Sequence, residues 1–298
     1  MKKFVVVAIY VIALMSSCIG QEWTVEEWRT HLTFVNPSTE QNSTGMLTGF
    51  ENIEELPAGT HMAFKIDADT TFEGTDVPFT LTLGFTVTGK EAREGVDYTV
   101  VDVTMNMEVE MEMEGSDSTL TMTFEGKEWV DTTGSPVTME GTATGKIGEF
   151  EMPISFAMER IGEEQYHGHD CWIYEVTQSM EMEGFPTGEI KAVQYMDKKS
   201  YAVVRTIAEF MGEETDSGYT EPVFSYGELQ WELGARETIT TDMGTYDCQI
   251  IYLLDDGETV GTIWANEDVR APIKYEISFK QEDMEFTMIM TLIEYTLG

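Results

Sequence analysis

The sequence predicts an all-β protein: a curved antiparallel sheet, a half-barrel or barrel, with a short N-terminal helix. Three observations carry that reading. Apolar and polar residues alternate with period 2 over long runs, no helical pattern of crossover length separates the runs, and hairpin-like units recur weakly along the chain. Period-2 alternation marks strands with one buried and one wet face. Parallel strands, buried on both faces, would read as continuous apolar runs instead.

Residues 1–20, MKKFVVVAIYVIALMSSCIG, read as a signal peptide. Lys2 and Lys3 form a basic start, and the apolar run from Phe4 to Met15 is short for a membrane-spanning helix, which needs about 20 residues. The small residues that follow, with Leu14, Ser16 and Ser17 before Cys18, resemble a lipobox, whose cysteine becomes the lipidated first residue. Cleavage after Gly20 and retention as an uncleaved anchor stay open beside it. All three outcomes export the chain and place it outside the cytoplasm, at the cell surface or the periplasmic side.

Residues 21–45 read as a short helix and a polar linker. Thr24-Val25-Glu26-Glu27 forms a capping box, Trp23 can staple onto Trp28, and the helix extends through Leu32. The linker NPSTEQNSTG carries an N-glycosylation sequon at Asn42, whereas Asn36-Pro37-Ser38 is blocked by its proline.

Residues 46–298 form the β domain. Phe79 to Val87, Val103 to Met113, Leu120 to Phe124, Phe150 to Met158 and Trp172 to Met182 each alternate. The stretch 97–114 is far longer than the usual strand of 5–6 residues, so its apolar face needs curvature or a second layer to cover it. Three hairpin units recur, led by Trp129-Val130-Asp131, Tyr195-Met196-Asp197 and Trp264-Ala265-Asn266. Repeats of this kind fit a meandering sheet that grows by hairpins.

The segments Tyr195 to Arg205 and Trp264 to Lys274 resemble the outer-membrane lipoprotein carrier superfamily, LolA-like and LppX-like. The resemblance covers two segments of the C-terminal half. It implies an exported half-barrel whose concave face holds acyl chains.

Charge narrows the partners. With 55 acidic against 17 basic residues the net charge is −38, which leaves no surplus of cations for nucleic-acid phosphates and repels anionic head groups. Yet 42% of residues are hydrophobic, so the chain folds. Glu108, Glu110, Glu112, Glu114, Glu181 and Glu183 fall on the wet positions of the alternating strands, where they solvate the outer face.

Twenty methionines stand out, many as Met-x-Met on the buried phase. Thioethers fit a soft-metal site, a deformable apolar cavity or plain core filling. The cavity reading nominates Met105, Met107, Met111, Met113, Phe150, Met152, Phe156 and Met180 as its lining. His167 and His169 share a strand face but lack further ligands, so no metal site is assigned. Cys171 and Cys248 form an even pair in a disulfide-permissive compartment, yet their equivalent places in successive units argue for separation, which leaves a disulfide open. Asp255-Asp256-Gly257-Glu258 reads as a hairpin turn rather than a calcium loop. Trp129, Trp231 and Trp264 can stack on sugars or anchor the core. No catalytic motif is present, and no cofactor is implied.

The sequence therefore points to an exported, lipid-anchored, non-enzymatic protein binding a lipid or isoprenoid. The alternative is a structural or interaction protein of the cell envelope with a filled core. The membrane enters as a partner through the Cys18 anchor.

Overall fold

The computed structural model describes residues 56–72, 75–93, 95–113, 116–132, 135–148, 150–180, 188–198, 203–210, 213–220, 230–255, 257–266, 268–269, 271–281 and 284–298. The signal segment with Cys18, the expected helix and linker, and Asn42 lie outside the described residues.

Fifteen strands make up the β domain: β1 His61–Phe72, β2 Thr75–Arg93, β3 Val96–Met113, β4 Ser116–Val130, β5 Pro136–Ile147, β6 Phe150–Tyr166, β7 His169–Met180, β8 Gly188–Asp197, β9 Val203–Phe210, β10 Glu213–Asp216, β11 Gln230–Thr241, β12 Gly244–Asp255, β13 Glu258–Ala265, β14 Pro272–Gln281 and β15 Met284–Thr296. They form one antiparallel sheet in the order β10-β9-β8-β7-β6-β5-β4-β3-β2-β1-β15-β14-β13-β12-β11. The hairpin meander runs unbroken from β1 to β10. The last five strands then join at the other side of β1, through β15, so β10 and β11 are neighbours in sequence but opposite edges of the sheet.

That topology forces the sheet to curl. Laid flat, fifteen strands at ~4.8 Å per step would hold the two edges about 67 Å apart. The chain from Asp216 to Gln230 reaches about 50 Å at most, whatever its conformation. Curvature is strong at the C-terminal end, where β11 comes within 8 Å of β15 with three strands between them in the sheet order. The result is an open, curled sheet whose edge strands do not pair with each other.

The alternation of the sequence becomes two faces. On β3, Val101, Val103, Met105, Met107 and Val109 are buried while Thr104, Asn106 and Glu108 are exposed. Register carries that phase across the sheet: Met105 lies opposite Leu83 on β2 and Phe124 on β4, and Phe124 lies opposite Ala143 on β5. The inner face is one continuous apolar cluster from Leu56 to Leu292.

The two rims differ. One is a floor, where residues 56–60, Gly298 and several turns lie. Leu56, Val269 and Ala271 are buried there. The Gly59 amide donates to the Val87 carbonyl at 2.7 Å, the Gly298 amide to Thr60 Oγ1 at 3.3 Å, and the Tyr174 hydroxyl to the Pro136 carbonyl at 2.9 Å. The opposite rim, called the mouth, is the end at which β1, β3, β5, β7 and β14 finish and β2, β4, β6, β8 and β15 begin. Toward it the inner-face residues Phe79, Met152 and Met288 are half-buried, whereas Leu81, Met105 and Met290 deeper in are 2–3% exposed.

The weak sequence repeat is a repeat of structure. Each unit places an aromatic ring on the outer face beneath a cation from another strand, the next one for Tyr195 and Trp264 and the next but one for Trp129. Arg93 sits 3.6 Å from the Trp129 ring centroid, Arg205 5.4 Å from Tyr195 and Lys274 4.7 Å from Trp264. A buried residue follows each ring, Val130, Met196 or Ala265. A polar residue then shapes or supports the turn. Asp131 accepts from the Ser135 amide at 3.1 Å, and Asn266 from the Asp268 amide at 3.0 Å. Asp197 faces His169 Nδ1 at 3.3 Å.

Candidate functional site

The inner face of β3–β8 is the candidate site. Methionines floor it: Met105, Met107, Met122, Met139, Met158 and Met196 are all at most 8% exposed. Of the lining predicted from sequence, Met105 and Met107 are therefore packed core, while Met152 and Phe156 are half-buried. Met111, Met113, Phe150 and Met180 keep the inner register phase, since Met113 ends β3, Phe150 opens β6 and Met180 pairs with Ile154. Their side chains lie outside the described residues.

Small residues shape the wall beside the methionines. Gly126 on β4 pairs with Gly141 on β5, both in the inner phase. The Phe124 ring lies over both, because a Cβ built on either glycine would fall 2.5–2.8 Å from that ring. The Phe156 ring meets Phe124 edge-on at 6.4 Å and 81°.

One inner-phase residue was missed in the sequence reading. Glu128 follows Leu120, Met122, Phe124 and Gly126 in the same phase, opposite Val101 and Met139, and is completely buried. Neither carboxyl oxygen has a hydrogen-bond partner among the described residues. Burial alone holds its carboxyl well above the usual carboxylate range, so the neutral acid is favoured. Three further inner-phase atoms are buried and unpartnered: Thr99 Oγ1, Gln178 Nε2 and Gln194 Oε1. The signal that would have found Glu128 is the phase itself, carried two steps beyond Phe124.

The other nominated residues resolve differently. Trp129 and Trp264 are buried, and their indole N–H groups donate to Glu91 at 3.0 Å and Glu237 at 2.8 Å, so neither offers a free face to a sugar. The Trp231 side chain lies outside the described residues. His167 occupies a left-handed turn position, φ 49°, and stacks on Tyr219 at 4.5 Å. His169 Nε2 shares a hydrogen bond with the Tyr219 hydroxyl at 3.0 Å. Among the described residues no group of three metal-ligating side chains converges. Asp255 ends β12 and Glu258 opens β13 around Gly257 at φ 85°, the hairpin the sequence predicts.

Cys171 and Cys248 are separate buried thiols, on strands ten positions apart in the sheet. The last five strands enter from the far side of β1, which sets the two strands far apart in the sheet order. Burial, and then the carboxylates of Asp197 and Asp247 respectively, push each thiol up to about 11. Neither is expected to alkylate in the folded protein at neutral pH. Both are expected to react after unfolding without reductant. Recovery of a linked Cys171–Cys248 peptide would contradict this.

A groove of about 770 Å³ crosses the outer face of β3–β7, lined by Asp102, Glu125, Lys127 and Glu140, with Gly126 and Gly141 in its floor. It is open to solvent rather than enclosed.

No family model matches the chain, and no curated protein matches it. Solved structures similar to it include a beta-barrel-like protein of the DUF1849 domain of unknown function from Brucella abortus, at 9% identity and TM-score 0.34, covering 82% of this chain and 99% of that one. A DUF1329 family protein from Desulfovibrio piger is similar at 10% identity and TM-score 0.23, covering 82% and 89%. A protein with a YmcC-like fold from Bacteroides fragilis is similar at 9% identity and TM-score 0.22, covering 80% and 97%.

Proposed function

We propose that the protein is an exported, non-enzymatic binding protein, held at the membrane by a lipid on Cys18, that shelters an apolar molecule such as a lipid or isoprenoid on its inner face. The observation that carries this reading is a continuous apolar inner face, floored at one rim and less covered toward the other, where Phe79, Met152 and Met288 are half-buried. Methionine suits such a surface because its unbranched, polarizable side chain repacks around varied shapes. Affinity would come from apolar area removed from water, about 25 cal/mol per Å². The signal-type N-terminus and the resemblance to lipoprotein carriers support the same reading.

A second reading, a cell-envelope structural protein with a filled core, is favoured by the methionines Met139, Met158 and Met196, which are 0–2% exposed. Nile red, a neutral apolar dye, separates the two. The binding reading predicts saturable fluorescence enhancement, weakened at least tenfold by Met288→Glu near the mouth. A linear, unsaturable response with no effect of that substitution favours the filled core.

A further inference from the structure

We infer that the inner face carries a polar subsite at Glu128 that selects a lipid with an uncharged, hydroxyl-bearing head. This rests on the apolar-ligand reading and adds its head-group chemistry. A purely structural core has no use for a carboxyl at this position. Glu128 is fully buried and neither oxygen has a partner among the described residues. Three more inner-phase side chains, Thr99, Gln178 and Gln194, are 3–6% exposed and each leaves a polar atom unmatched. Buried polar groups are almost always hydrogen-bonded, so four unmatched side chains in one inner face ask for a partner.

The register places them. Thr99 is the diagonal neighbour of Glu128, since Val101 pairs with Glu128 and Thr99 with Val130. Gln178 and Gln194 lie farther round the same face, on β7 and β8, three and four strands from β4 and opposite Phe156 and Tyr174 respectively. Glu128 and Thr99 together offer both donors and acceptors, a neutral acid and a hydroxyl that each do both. A head with hydroxyls and a carbonyl matches that set. A charged head does not. The inner-phase neighbours of Glu128 on β3 and β5, Thr99, Val101, Val103, Met139 and Gly141, include no cation. The Arg160 guanidinium is held by Asp131 at 2.7 Å. A desolvated anion would stand without a counter-charge, and a cation would force two charges into the core.

Depth agrees with a lipid tail. Glu128 lies near the floor end of β4 and Leu120 near its mouth end, about 26 Å apart along the strand. That exceeds the length of one lipid tail, roughly half of a ~30 Å bilayer hydrocarbon core. The four polar side chains are closed over in the ligand-free protein, so entry displaces inner-face side chains. The Phe124 ring over the Gly126–Gly141 pair and the Met139 side chain opposite Glu128 are the adjacent candidates.

The test is displacement of Nile red at neutral pH by 1-monooleoylglycerol, oleate and hexadecane, for the wild type, Glu128→Leu and Glu128→Gln. The wild type is expected to bind the monoacylglycerol at least tenfold more tightly than oleate. Glu128→Leu is expected to weaken monoacylglycerol binding at least tenfold and leave hexadecane unchanged, while Glu128→Gln, which keeps a neutral hydrogen-bonding head, stays within about threefold of wild type. Equal monoacylglycerol affinity in wild type and Glu128→Leu overturns the subsite and leaves apolar binding standing. If no apolar probe binds in a saturable way, both fall.

Discussion

Replacing Glu128 with leucine is expected to raise stability at neutral to mildly alkaline pH by about 2 kcal/mol, the cost of a buried polar group without a partner. Core substitutions usually destabilise, so the sign is diagnostic. The pH dependence should follow from linkage. The folded-state carboxyl titrates well above its ordinary value of 4.5 because burial penalises the charged form. Above 4.5 the native state therefore holds a proton that the unfolded chain releases. The favourable contribution is complete below 4.5 and is lost as pH rises from there through the folded-state value. The inner-phase neighbours on β3 and β5 carry no titratable side chain to offset this. Urea unfolding of both proteins from pH 4 to 9 isolates the effect, because the many surface carboxylates are common to both. The gain of Glu128→Leu should grow with pH. A loss of stability at every pH would mean that Glu128 has a partner.

Gly141→Ala is expected to cost about 3 kcal/mol, at the upper end of overpacking penalties. The added Cβ would fall 2.6 Å from the Glu125 carbonyl oxygen and 2.8 Å from the Gly126 Cα. Those atoms are backbone in a paired strand and cannot step aside as a flexible side chain can. Two other glycines serve as controls. At Gly145 the nearest atom is the Met152 methyl, 3.3 Å away, and at Gly162 nothing lies within 4 Å. Alanine at either should change stability by less than about 1 kcal/mol, with a small gain at Gly162 from reduced unfolded-state freedom. Equal effects at all three positions would contradict the close approach of β4 and β5.

Much of the fold was legible because one signal dominates. Period 2 fixes the inner phase of β2, β3, β4 and β6, and the recurring aromatic and Asp or Asn residues mark where hairpins turn. What escaped has physical causes. The inner phase of β4 is interrupted by Gly126 and then violated by Glu128, so a reading that follows apolar residues stops at Phe124. The order of the sheet also escaped. Nothing local tells β11 to leave β10 and let β15 pair with β1, yet that decision separates Cys171 from Cys248. Trp129 and Trp264 are buried on the outer face, where Arg93 from β2 and Lys274 from β14 cover them. Such partners are 36 and 10 residues away in sequence and carry no periodic signal. Of the nominated cavity, Met105 and Met107 were correctly placed inward, but their full burial depends on how tightly the sheet curls, which alternation does not encode.

The most direct measurement is mass spectrometry of an organic-solvent extract from the natively purified full-length protein. One recurring apolar species is expected at near-stoichiometric amount, with an uncharged hydroxyl-bearing head. A marked fall in that species is expected in Glu128→Leu. An extract free of any lipid beyond the background of an unrelated exported protein, from protein that also fails to bind Nile red, would contradict this and leave the inner face as a filled core.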